Sequence, residues 1–111
     1  MDQVSRNVQS LLQSIKKSEI YREYKAQEQR LMKNEALWER VCRFRANNFR
    51  MQNEAGENLL AVADQIYRES RDLRSIPEVN AYLDAELALC KLTQSVIQEL
   101  TEGIDMHVPD L

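Results

Sequence analysis

Apolar residues recur three and four positions apart along almost the whole chain, and the longest such stripe is Val79, Leu83, Glu86, Cys90, Thr93, Ile97, Leu100 and Ile104. A three/four alternation held for about seven turns places one face of an α-helix in an apolar environment, and no strand or loop has a reason to keep it. Only two glycines and two prolines interrupt the chain, so helices are expected nearly end to end.

The pattern predicts five of them. Val4, Val8, Leu11, Leu12 and Ile15 share one face of a first helix over residues 4–17, whose last turn carries Lys16 and Lys17 in the favourable dipole position. Ser18 before Glu19 reads as an N-cap, opening a second helix, or a continuation after a kink, to residue 33. Its inner side, Ile20, Tyr24, Gln27 and Leu31, is weakly apolar, so partial burial is expected. Asn34 caps a third helix reaching residue 53, with Leu37, Val41, Phe44, Asn48 and Met51 along its seam and Trp38, Cys42 and Phe49 beside it. That apolar face is too broad for a strict two-stranded coiled coil. Asn48 reads either as a register-setting seam residue or as an amide at the stripe edge.

The cluster around Gly56 is the best turn candidate, and a fourth helix resumes near residue 58 with Leu59, Val62, Ala63, Ile66, Tyr67, Ser70 and Leu73 inward. Arg68, Glu69, Arg71 and Asp72 are expected to face outward. Ser75, Pro77 and Glu78 together look like an N-cap, an early helical proline and a capping-box acid, so the last helix starts there and ends at Gly103. The fold class is therefore all-α, an elongated antiparallel bundle of about five helices. Residues 1–105 form a single helical domain and residues 106–111 a short C-terminal tail.

A helix of about 27 residues is roughly 40 Å long, too long for a compact monomer of this size to cover. The expected remedy is a homodimer in which long helices pack between chains, with Leu37, Val41, Phe44, Asn48, Met51, Leu83, Ile97 and Leu100 as the candidate interface.

Composition and charge refine this picture. The 111 residues are 43% hydrophobic and 30% charged, a profile of a folded single domain rather than a disordered chain. There is no apolar run of membrane-spanning length and no signal-peptide core near the N-terminus, so a cytoplasmic location is expected. Net charge is −3, but the halves differ: residues 1–50 hold 11 Lys/Arg against 6 Asp/Glu, and residues 51–111 hold 4 against 12. Opposite signs favour packing basic helices against acidic ones, within or between chains.

Candidate chemistry is sparse. His107, the single histidine, falls in the tail, and no Glu-x-x-His or glycine-rich phosphate loop is present, so an enzyme is not expected. Cys42 and Cys90 stand far apart without metal-ligand neighbours, which predicts buried, reduced thiols and no metal or other cofactor. Arg40, Arg43 and Arg50 share one face of the third helix. Such a face suits a solvated or intersubunit salt-bridge surface first, an RNA or DNA contact second and an acidic protein partner third. Glu86 sits inside the long stripe, where an unpaired carboxylate is costly to bury, and Arg45 next to Phe44 is the preferred partner of a buried ion pair.

The order of a helix, Ser18-Glu19 opening the next, the Phe44-Arg45 helix, a glycine-containing turn, and Val79-Asn80-Ala81-Tyr82-Leu83-Asp84-Ala85-Glu86 opening the last resembles the YheA/YmcA/YlbF family of small bacterial regulators, over about residues 4–105. The resemblance implies an all-helical, dimeric, non-enzymatic protein of Gram-positive-type bacteria, related to regulators of competence, sporulation and biofilm formation. Some such proteins act as a complex that influences RNA processing by a membrane-associated ribonuclease. Certain members also carry cysteines, mainly in a C-terminal extension, associated with an iron-sulfur cluster. Here no cysteine follows Cys90, so that cofactor is not carried over. The residues and the resemblance together suggest a regulatory adaptor acting through protein–protein interaction, with an RNA-binding accessory protein or a structural helical component as alternatives.

Overall fold

The computed structural model describes residues 2–53 and 59–104. Within them the chain forms five α-helices: α1 (Gln3–Lys17), α2 (Glu19–Met32), α3 (Glu35–Asn53), α4 (Leu59–Arg74) and α5 (Pro77–Gly103). The turn expected around Gly56 and the tail holding His107 lie outside the described residues.

Local chemistry explains most boundaries. Asp2, which the apolar spacing gave no reason to single out, caps α1 through its Oδ1, which accepts from the Ser5 amide at 2.8 Å. Ser18 serves two helices. Its extended backbone stops α1, its hydroxyl donates to the Ile15 carbonyl at 2.6 Å, and the same oxygen accepts from the Tyr21 amide at 3.2 Å to start α2. Asn34 Oδ1 accepts from the Leu37 amide at 3.2 Å, as expected of an N-cap.

At the start of α5 the expectation needs correcting. Ser75 Oγ donates to the Asp72 carbonyl at 2.5 Å and so satisfies the end of α4. The first carbonyl bond of α5 is instead made by Ile76, which accepts from the Asn80 amide at 2.9 Å. Glu78 reaches out to Arg30 of α2 at 3.8 Å rather than folding back as a capping-box acid. A hydroxyl can donate to a carbonyl as readily as it accepts from an amide, and sequence spacing does not distinguish the two.

The described residues divide into two compact units. The first comprises Lys25–Leu83 and contains the main core: Leu31, Val41, Phe44, Ile66, Leu73, Val79, Tyr82 and Leu83 are all buried. Each such side chain contributes about 1.5–3 kcal/mol relative to its exposed state. Helices α3 and α4 pack against each other along this core. Leu31 is the single buried residue of α2, in keeping with its weak apolar face. Tyr67, assigned inward from the α4 spacing, is exposed, and Glu69, assigned outward, is half-buried against α3. The α4 arc that α3 covers is narrower than the apolar arc, and it is rotated toward Glu69.

The second unit combines residues 2–24 with 84–104. No residue of α1 is fully buried, and only Ala85 is buried along the 84–103 stretch of α5. Gly103 closes α5, and a methyl group added there would meet nothing within 4 Å. Gly103→Ala is therefore expected to raise stability slightly, by at most about 0.5–1 kcal/mol, because alanine loses less backbone entropy in a helix. A denaturant titration in which the variant is clearly less stable than the parent would contradict this reading.

Candidate functional site

The strongest polar geometry lies in the Lys25–Leu83 unit and ties its helices together. Arg40 Nε donates to Glu69 Oε1 at 2.9 Å and Arg40 Nη2 donates to Glu69 Oε2 at 3.3 Å, a two-pronged pair joining the first half of α3 to the second half of α4. The hydrogen bond to Glu69 raises the Arg40 pKa above the ordinary arginine value; burial opposes the rise, and the negative charges of Glu69 and Asp72 add to it. Arg40 is thereby committed to its own chain, while Arg43 and Arg50 of the same face are exposed. Both members of the pair are part-exposed, so an Arg40→Ala/Glu69→Ala double-mutant cycle is expected to show a salt-sensitive coupling of about 0–1 kcal/mol. A coupling of several kcal/mol, or one that high salt leaves unchanged, would contradict that geometry.

A second cluster surrounds Tyr82, whose ring is fully buried. Trp38 approaches it edge-on, with centroids 5.5 Å apart and planes at 79°. Arg45 Nη1 donates to Tyr82 Oη at 2.7 Å, and its guanidinium carbon stands 5.8 Å from the ring centroid. Arg45 thus gives the phenolic oxygen a partner it could not obtain from water. The sequence did contain a signal for Tyr82: it lies on the helix face of Val79 and Leu83.

The expected interface residues fall into two groups. Val41, Phe44 and Leu83 are already buried in the single chain, and Leu37, Asn48 and Met51 are half-buried. Ile97 and Leu100 are each 56% exposed. Cys42 is half-buried, but Cys90 is exposed, which corrects the expectation of two buried thiols. Spacing put Cys90 on an apolar stripe; it did not show whether anything covers that part of the stripe. Glu86 is half-buried with its Oε2 out of contact with solvent.

Two further surfaces carry recognition chemistry. On α3 and α4, Phe49, Leu60 and Tyr67 are exposed, and Arg43, Arg50 and Arg71 are exposed on the same helices. Aromatic and arginine side chains are the commonest energetic anchors of protein interfaces. On α1, Val4, Val8, Leu11 and Leu12 remain open to solvent. Among the described residues no group of three or more His, Cys, Asp or Glu is placed to hold a metal ion, and no helix is long and apolar enough to cross a membrane.

Residues 4–105, spanning all five helices, match the family model described as control of competence regulator ComK, YlbF/YmcA. The chain belongs to the YlbF/YmcA family. No curated protein and no solved structure gave a match. The YlbF/YmcA assignment makes the protein a member of a regulatory family.

Proposed function

We propose that this chain is a non-enzymatic regulatory adaptor of the bacterial cytoplasm, acting in the control of competence and related developmental programmes by binding other proteins. The family match over residues 4–105 carries the reading. The exposed aromatic and arginine side chains of α3 and α4 support it, since each is open to solvent and of a type that anchors protein interfaces. The finer output, influence on RNA processing through a ribonuclease-containing complex, is part of the same proposal and rests on family resemblance. The adaptor form of the protein is an antiparallel single-domain bundle over residues 1–105, with the Arg45–Glu86 ion pair as a further proposed contact. A double-mutant cycle of Arg45→Met and Glu86→Gln tests that pair, with zero coupling as the result that removes it.

Arg40's engagement with Glu69 weighs against the nucleic-acid alternative, because it takes one of the three arginines out of the basic face. In cells that make the protein, deletion is expected to change competence-gene expression. Wild-type chain is expected to restore it, while a folded Phe49→Asp/Tyr67→Asp variant is not. Affinity capture of the full chain is expected to retain a defined protein partner as salt rises. Recovery of RNA that is lost steeply with salt, with no protein partner, would favour direct phosphate contact instead.

A further inference from the structure

Helix α4 keeps two large apolar side chains in solvent. Leu60 is 86% exposed and Tyr67 66%. They stand seven positions apart, so they share one face of the helix and lie about 10 Å from each other along its axis. Asp64 falls between them, and its carboxylate is taken by Arg68 of the same helix at 2.9 Å. The buried side of α4 is elsewhere: Ile66 and Leu73 enter the core, and Glu69 meets Arg40 of α3. Leu60 and Tyr67 thus stay open after α4 has packed within the Lys25–Leu83 unit.

The charge beside these two anchors has one sign. One turn beyond Tyr67 the same face carries Arg71, which is exposed and has no acidic partner among the described residues. Arg74 follows, and its Nη1 donates to the neutral amide oxygen of Asn80 at 2.8 Å. The acid between them, Asp72, is turned by about 100° from Arg71. Its charge acts on Arg40 of α3 instead. Along the axis the face therefore runs apolar, apolar, basic, and the acid it contains is already paired.

We infer that the Leu60, Tyr67 and Arg71 face of α4 docks an amphipathic helix of a protein partner, one that presents two apolar side chains seven positions apart and acidic residues in the turn that meets Arg71. Tyrosine and arginine are anchor types of protein interfaces, and an amphipathic helix reads a line of this kind through apolar residues two turns apart. The carboxylates complement the basic end of the face and set the direction in which the helix lies. Nucleic acid would gain a stacking ring at Tyr67 and a phosphate contact at Arg71 but would place polar groups over Leu60. A lipid surface takes up a broad apolar stripe, and this face offers two side chains. The inference rests on the adaptor reading and adds to it the surface and the chemistry of the partner.

The probe is a synthetic alanine-based helical peptide with two leucines seven positions apart and two glutamates in the following turn, titrated into the isotopically labelled full chain and followed by amide NMR. Saturable shifts centred on residues 60–71 are expected. Leu60→Gln/Tyr67→Gln is expected to weaken binding at least about tenfold with helical content unchanged, since both side chains are in solvent. If that variant loses helix, Leu60→Ala/Tyr67→Ala replaces it. Arg71→Glu is expected to weaken binding of the glutamate peptide and to strengthen binding of a peptide with lysines in place of the glutamates, and both effects are expected to shrink as salt rises. Absence of a saturable shift, shifts centred elsewhere, or a charge swap that changes nothing overturns the inference. So does a changed sedimentation coefficient in Leu60→Gln/Tyr67→Gln, which gives the face to a contact between copies, or displacement of the peptide by oligouridylate at lower concentration than by the peptide itself, which gives it to nucleic acid. The adaptor reading is judged apart from this, by gene deletion. A failed titration beside a competence-gene response to deletion removes this face and keeps the adaptor, and a positive titration without that response does the reverse.

Discussion

Tyr82→Ala is expected to cost about 3–5 kcal/mol, enough to unfold much of the Lys25–Leu83 unit at room temperature. The ring is fully buried, touches Trp38 edge-on and receives the Arg45 hydrogen bond, so truncation opens a cavity and removes both contacts together. Two milder substitutions separate the contributions. Tyr82→Phe removes the hydroxyl but keeps the ring, and is expected to cost about 0.5–1.5 kcal/mol. Arg45→Met keeps the hydroxyl but removes the Arg45 donor, and is expected to cost about 1–3 kcal/mol, the range for a hydrogen bond made by a charged group. Chemical denaturation of the three variants checks the order. If Tyr82→Ala costs less than 1 kcal/mol, Tyr82 is not the centre of this core.

The helices were legible because their signals are local. Ser18 and Asn34 each place a short polar side chain immediately before an apolar repeat, and the amide bonds they accept follow from covalent geometry alone. Ser75 is ambiguous for an equally local reason: a serine that ends one helix and a serine that begins the next have the same neighbours when only one further residue separates the two helices. What spacing cannot encode is the arc of each helix that its neighbours cover. Tyr67 and Cys90 both sit at apolar-stripe positions, yet both are exposed, while Glu69 was assigned to solvent and instead meets Arg40. The Arg45–Tyr82 bond spans 37 positions and needs the rotation of both α3 and α5 to be known before it can be drawn. The candidate surfaces were therefore visible as apolar and basic stripes, and their division into core and open face was not.

Helix α2 gives the second large effect, because a single side chain carries its full burial. Leu31 is its only buried residue, and Leu31→Ala is expected to cost about 2–5 kcal/mol, the range for a fully buried leucine whose site does not collapse. Met32, the next residue, is 46% exposed, and Met32→Ala is expected to change stability by less than about 0.5 kcal/mol. The contrast between adjacent residues follows from a helix turning by about 100° per position, which carries one into the core and its neighbour into solvent. The loss at Leu31 is also expected to be uneven. Elsewhere on α2, the Lys25–Glu28 bond at 2.7 Å joins residues of the same helix, and the Arg30–Glu78 approach at 3.8 Å is exposed, so neither can substitute for the buried leucine. Amide hydrogen exchange in Leu31→Ala is therefore expected to show residues 25–32 opening before α3 and α4 lose protection. Equal loss across all three helices would mean that α2 and the α3–α4 pair form one cooperative block, with Leu31 acting on the whole unit rather than on the docking of its own helix.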